Sequence, residues 1–175
     1  MQYSWKLIVG GQSSVGKTTL LHRYIHKHFK EGMKLTIGVE FHTQLLERNH
    51  DMIHLVLWDL GGHERFRFFQ LKYLIGTKGA FLVFDMSRPE TLDQINDWTE
   101  IIKSETDPET SILLVGSKMD LLNEAEISKV DELAWQKVKE VGLDHYIPTS
   151  SKSNINVNEA ILWMVDALSE RFKEK

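Results

Sequence analysis

Apolar positions along the chain follow two periods. Short, nearly continuous apolar stretches read as strands over 3–9, 39–47, 52–58, 80–85, 111–116 and 145–148. Longer stretches with apolar residues three or four apart predict helices over 17–27, 64–75, 89–104, 128–141 and 157–172. Strand and helix therefore alternate, the order expected of a mostly parallel sheet with helices on both faces. Only the second and third strands lack a helix between them. The polar segment "RNHD" at 48–51 is suited to close a hairpin there, so one antiparallel edge strand is expected in a sheet of six.

Composition narrows the picture. With 175 residues, 42% of them apolar, the chain is long enough for one well-buried domain, expected over 1–175. Apolar runs such as "AFLVF" at 80–84 fall far short of the roughly 20 residues that span a bilayer. Trp5 to Val9 already reads as a strand, which argues against a cleaved targeting peptide and for a cytoplasmic protein. Cysteine is absent, which excludes disulfides, thiolate catalysis and a prenylated or palmitoylated anchor. A formal charge of −4 without a basic run gives no footprint for nucleic acid or an anionic membrane.

Chemistry enters at "VGGQSSVGKTTL", residues 9–20. Gly11, Gly16, Lys17 and Thr18 fit GxxxxGK[ST], placed after a predicted strand and opening a predicted helix. Glycines let such a loop curl until successive N–H groups point inward, and the helix adds its positive end. A polyphosphate is the natural guest: Lys17 reaches its terminal oxygens and the Thr18 hydroxyl can hold Mg²⁺. A second constellation, "VLWDLGGHERF" at 56–66, ends a strand in Asp59. That carboxylate falls at the strand's C-terminal edge, where open α/β sheets bind ligands, although buried strands also end in Asp without any metal role.

With these motifs the chain resembles a Ras-superfamily small GTPase of the Rab type, a P-loop NTPase (G) domain. The resemblance runs in order through the phosphate loop, "TIGVEF" at 36–41, "WDLGGHERF" at 58–66, "SKMD" at 117–120 and "SSK" at 150–152. It implies a switch that binds GTP and GDP with Mg²⁺ and hydrolyses GTP slowly. It further implies a phosphate site from Gly11, Ser13, Ser14, Val15, Gly16, Lys17, Thr18 and Thr19. Thr36 would complete the metal shell with Thr18, Asp59 lying behind them, and the Gly62 amide would meet the γ-phosphate. Lys17, Gly62 and His63 would thus serve hydrolysis.

For the base, a carboxylate at Asp120 can accept from guanine N1 and N2, whereas adenine offers no matching pair of donors. The resemblance implies that Lys118 and Lys152 flank the ring, that Phe29 meets it edge-on and that Ser150 and Ser151 complete the base loop. Phe41, Trp58 and Tyr73 match an effector-binding aromatic triad, with burial in the core as the competing reading. An effector, an exchange factor and a GTPase-activating protein are the implied partners, and any membrane recruitment would have to come through a partner.

Three departures from the family pattern carry expectations of their own. Ser117 stands where asparagine is usual; its reach is shorter, which predicts faster nucleotide release. His63 replaces the water-orienting glutamine, and an imidazole with an ordinary pKa near ~6.5 predicts slow, pH-sensitive hydrolysis. Leu60-Gly61 replaces Thr-Ala, which predicts a more flexible second switch. A non-hydrolysing adaptor is the rival reading. Trp98, Trp135 and Trp163 are expected in the core or in helix packing, and the pair His22 and His26 lacks a third metal ligand in view.

Overall fold

The computed structural model describes residues 1–62 and 71–173. Six strands, β1 (Gln2–Gly10), β2 (Val39–Arg48), β3 (Asp51–Leu60), β4 (Thr77–Asp85), β5 (Ser111–Ser117) and β6 (His145–Pro148), form one sheet in the order β2-β3-β1-β4-β5-β6. All neighbours run parallel except β2 and β3, so the expected antiparallel edge strand is present. The hairpin turns on Asn49 and His50, both at positive φ (53° and 67°), the conformation that lets a two-residue loop follow the twist of its strands.

Four α-helices are described: α1 (Lys17–His26), α2 (Gln94–Glu105), α3 (Glu124–Val141) and α4 (Val157–Lys173). Because side chains alternate along a strand, β1, β4 and β5 feed two separate cores. Leu7, Val9, Phe81, Val83, Leu113 and Val115 pack with Leu20, Leu21, Ile161 and Val165 of α1 and α4. Ile8, Ala80, Leu82, Phe84 and Leu114 pack on the other face with Ile95, Trp98, Val130 and Ala134 of α2 and α3. Helices therefore cover both faces.

Expected element boundaries shift at several places: β4 begins at Thr77 rather than 80. The helix expected over 89–104 opens instead as a 3₁₀ turn, Pro89–Leu92, before α2 begins at Gln94. The helix expected from 128 begins four residues earlier, because Asn123 Oδ1 accepts from the Glu126 amide and Glu126 Oε2 accepts from the Asn123 amide. The pattern N-x-x-E was available in the sequence. Of the helix expected over 64–75, residues 64–70 lie outside the described ones, and Leu71–Tyr73 is a 3₁₀ turn.

Trp98 is buried against Gly10, as expected, and Trp163 packs partly buried beside the α1–α4 core. Trp135 is 40% exposed and belongs to no core; its ring stands edge-on to His145 and Tyr146 of β6. No described helix is long and apolar enough to cross a membrane.

Candidate functional site

The C-terminal ends of β1, β3 and β5 deliver three loops to one edge of the sheet. The loop from β1 to α1 curls through left-handed backbone at Gly11 (φ 140°), Ser14 (φ 62°) and Gly16 (φ 105°). Gly16 is the N-cap of α1, and no acidic residue occupies the helix's first turn, so its positive end faces the cleft uncompensated by the chain itself. Lys17 folds back across its own loop and donates to the carbonyls of Gly11 (3.1 Å) and Gln12 (2.7 Å). Burial pushes its pKa down to about 8, against the opposing pull of Asp59. A buried ammonium of this kind gains more from an arriving polyanion than one already in water.

Asp59, fully buried at the end of β3, gathers two hydroxyls. Thr18 donates to its Oδ2 through a very short hydrogen bond, Thr36 donates to the same oxygen at 3.2 Å, and the two hydroxyls lie 2.7 Å apart. Oδ1 is buried and has no hydrogen-bond partner among the described residues. Burial raises the Asp59 pKa, while the Thr18 hydrogen bond and Lys17 work against that rise. Two hydroxyls and an under-satisfied carboxylate make a hard, all-oxygen donor set, which fits Mg²⁺ and not a soft metal.

Two glycines bring the segment after β3 against this loop. A side chain at Gly62 would collide with the backbone of Gln12 and Ser13, and one at Gly61 would meet the Thr36 carbonyl at 2.7 Å. The Gly61 amide donates to the Gly38 carbonyl at 2.8 Å. Close approach, rather than flexibility alone, is thus a reason for glycine at 61. His63, expected to orient water, lies outside the described residues.

The side that the sequence assigned to the base is assembled from the loops after β5 and β6. Ser150 is buried and donates to Asp120 Oδ1 at 2.5 Å, which aims an otherwise exposed carboxylate. The Met119 amide donates to the Thr149 carbonyl at 3.1 Å and joins the two loops. Ser117 donates its hydroxyl hydrogen either to the Val15 carbonyl of the phosphate loop, through a very short bond, or to the Phe84 carbonyl at 2.9 Å. The shorter side chain therefore still reaches the phosphate loop, and what it lacks relative to asparagine is the amide toward a base.

Two adjoining clefts result. One of about 480 Å³ is lined by Ser13, Ser14, Gly16, Lys17, Thr18, Thr19, Phe29, Thr36, Gly62 and Lys118, among others. The next, about 250 Å³, takes in Phe29, Ser117, Lys118, Asp120, Ser151 and Lys152. Gly11 and Val15 lie buried behind the loop. A wider depression of about 740 Å³ between Lys103, Glu109, Gly142 and Arg171 lies at the opposite end of β5, where Lys103 and Arg171 already bond carbonyls and Asp144.

Outside the clefts, Phe41, Trp58 and Tyr73 form a row with ring centroids 5.6 and 5.5 Å apart, Phe41 65% exposed and Trp58 half-buried. His28 joins His22 and His26, at 5.0 Å from His22, but among the described residues no group of three His, Cys, Asp or Glu side chains could hold a metal.

Against known proteins, the model of the Ras family matches residues 6–170. The chain is 33% identical over 172 residues to the Ras-related protein Rab-3A of Homo sapiens, covering 98% of this chain and 77% of that one. It is likewise 33% identical to the Ras-related protein Rab-3C of Bos taurus, over 98% of this chain and 74% of the relative.

Proposed function

The chain belongs to the Ras family of small GTPases, proteins that bind GTP as switches, and we propose that the two adjoining clefts are its guanine-nucleotide and Mg²⁺ site. One observation carries this reading: the Thr18 and Thr36 hydroxyls meet on a buried Asp59 beside a buried Lys17, at the mouth of a helix N-terminus. In this reading the backbone amides of Ser14 to Thr19 and the Lys17 ammonium hold the β- and γ-phosphates. Mg²⁺ held by Thr18 and Thr36, with Asp59 behind them, would supply charge neutralisation between those phosphates.

Asp120, aimed by Ser150, accepts from guanine N1 and N2, and the stems of Lys118 and Lys152 flank the ring. Thr36 and Gly62 sense the γ-phosphate. Because Gly61 is stitched to Gly38, release of either residue is transmitted to the other, which couples the two switch segments. Phe41, Trp58 and Tyr73 are the proposed effector surface, adjoining both segments, and His63 is the proposed water-orienting group. Exchange factors and activating proteins fit the same cycle.

Denaturing the purified protein and separating the released nucleotide tests the assignment. GDP is expected. GTP would favour a slow-hydrolysing adaptor, and an adenine nucleotide would overturn the role of Asp120. Asp59→Ala is expected to make nucleotide retention insensitive to chelation of Mg²⁺; undiminished sensitivity would remove Asp59 from the metal site. For His63, single-turnover hydrolysis that stays flat with pH and is unchanged in His63→Ala would exclude it from catalysis.

A further inference from the structure

Asp85 ends β4 outside the motifs that define the nucleotide site, yet it is only 1% exposed and carries two cations. Its Oδ2 accepts from Lys118 Nζ at 2.7 Å and from Arg88 Nε at 3.0 Å, while its Oδ1 accepts from the amide and hydroxyl of Ser87 at 2.9 and 2.6 Å. Burial alone would push the Asp85 carboxyl up, but the hydrogen bonds from Lys118, Ser87 and Arg88 outweigh it and hold it below the ordinary carboxylate range. The carboxylate is thus a charged anchor at neutral pH.

Both cations point past Asp85 to the same acceptor. Lys118 Nζ donates to the Ser14 carbonyl at 3.0 Å and Arg88 Nη2 donates to it at 3.2 Å. Ser14 sits at φ 62°, a left-handed conformation that a residue other than glycine holds only when its surroundings impose it. In a trans peptide the C=O and the following N–H point opposite ways, and among the described residues every peptide bond is trans. Drawing the Ser14 carbonyl outward therefore turns the Val15 N–H inward. The Val15 carbonyl is held outward in turn by Ser117, which does the same for the Gly16 N–H.

We propose that Arg88 is a positioning residue for the nucleotide: with Lys118, and anchored by Asp85, it holds the Ser14–Val15 peptide so that the Val15 N–H faces the diphosphate. This rests on the nucleotide reading of the cleft given above. Lys118 must also flank the base, whereas among the described residues the Arg88 side chain bonds only the Asp85 anchor and the loop. Its position also explains how the loop stays ordered with a serine at 117, since the neighbouring peptide is clamped from a different strand end.

The test is the release rate of a fluorescent GDP analogue, with Mg²⁺, from the wild-type chain, Arg88→Ala and Arg88→Lys. Arg88→Ala is expected to release about five- to tenfold faster, the change that one lost hydrogen bond produces. Arg88→Lys, which can reach one acceptor but not bridge two, should recover part of that loss. The ³¹P resonance of the β-phosphate in bound GDP should move in Arg88→Ala, a readout that a purely structural role for Arg88 leaves in place. If Arg88→Ala does not fold, Arg88→Gln, which retains a donor without the ion pair, takes its place. Unchanged release together with an unchanged β-phosphate resonance overturns the proposal. A wild-type chain that takes up no guanine nucleotide overturns the functional reading itself, which separates the two failures.

Discussion

The two halves of the cleft are built on different principles. The half proposed for the phosphates is glycine-turned backbone and buried charge, with Lys17 and Asp59 at 6% and 0% exposure. The half proposed for the base is side chains from two loops, with Asp120 exposed and steered by a buried Ser150. The difference teaches a division of labour. In the proposed reading, the amides and the buried lysine take any polyphosphate and supply affinity, because charge-assisted bonds out of water are strong. A carboxylate that must match two donors would supply the discrimination, because the wrong base would leave it unpaired.

Breaking the phosphate half should have the largest effect. Lys17→Met is expected to lower affinity for GTP and GDP alike by about 100-fold or more, the loss of charged hydrogen bonds worth ~1.5–3 kcal/mol each, measured by calorimetric titration. The same variant should melt no lower than wild type when both are nucleotide-free, since burial already pushes Lys17 down to about 8 and the charge is held at a cost. A large fall in melting temperature would mean that the lysine is a structural strut.

Asp120→Asn tests the other half. It should weaken GTP by about 100-fold while a xanthine nucleotide, whose carbonyl can accept from the new amide, gains over GTP. Equal losses for both nucleotides would erase the proposed division. Ser117→Asn should act more modestly, slowing release by about fivefold, close to one hydrogen bond of ~1 kcal/mol. The gain is limited because Ser117 already bonds the phosphate loop, and no slowing would mean that the base draws nothing from position 117.

The smallest effect lies away from both halves. His145 packs edge-on against Trp135 and flat against Trp163, and burial lowers its pKa. A lowered pKa means that the unfolded chain, near ~6.5, takes up the proton first, so stability falls as pH drops through that value. His145→Gln should flatten the change in melting temperature between pH 7.5 and pH 5.5, by about a degree or two for a half-buried group, and leave nucleotide affinity unchanged.

Local sequence carried much of this site because its chemistry is local. Gly11, Gly16, Lys17 and Thr18 lie within one turn and the helix that follows it, so spacing alone describes the cradle. Asp59 lies at the end of β3 and Asp120 in the 3₁₀ turn Met119–Leu121 that follows β5, and the parallel run of β3, β1, β4 and β5 brings those C-terminal ends to one edge of the sheet. The periodic strands and the hairpin at 48–51 were legible for the same reason, since burial on alternate positions writes itself into the residue pattern.

Other features depended on contacts between distant residues, which no spacing records. That Ser117 still reaches Val15 follows from how β5 stands beside the loop after β1. That Gly61 serves close packing follows from Thr36 and Gly38, 25 and 23 positions earlier in the chain. Trp135 reads as a core or helix-packing residue by helical period, and only the fold shows which: it packs α3 on β6 while 40% exposed. Asp85 and Arg88 belong to no motif at all; only the sheet order, with β4 between β1 and β5, brings them against Ser14 and Lys118. Sequence determined which groups the cleft would contain, because chemistry and periodicity are properties of residues and their near neighbours. Tertiary structure alone decided which of them are buried, paired and aimed, because solvent exclusion and hydrogen-bond geometry are set by segments that meet only in the folded chain.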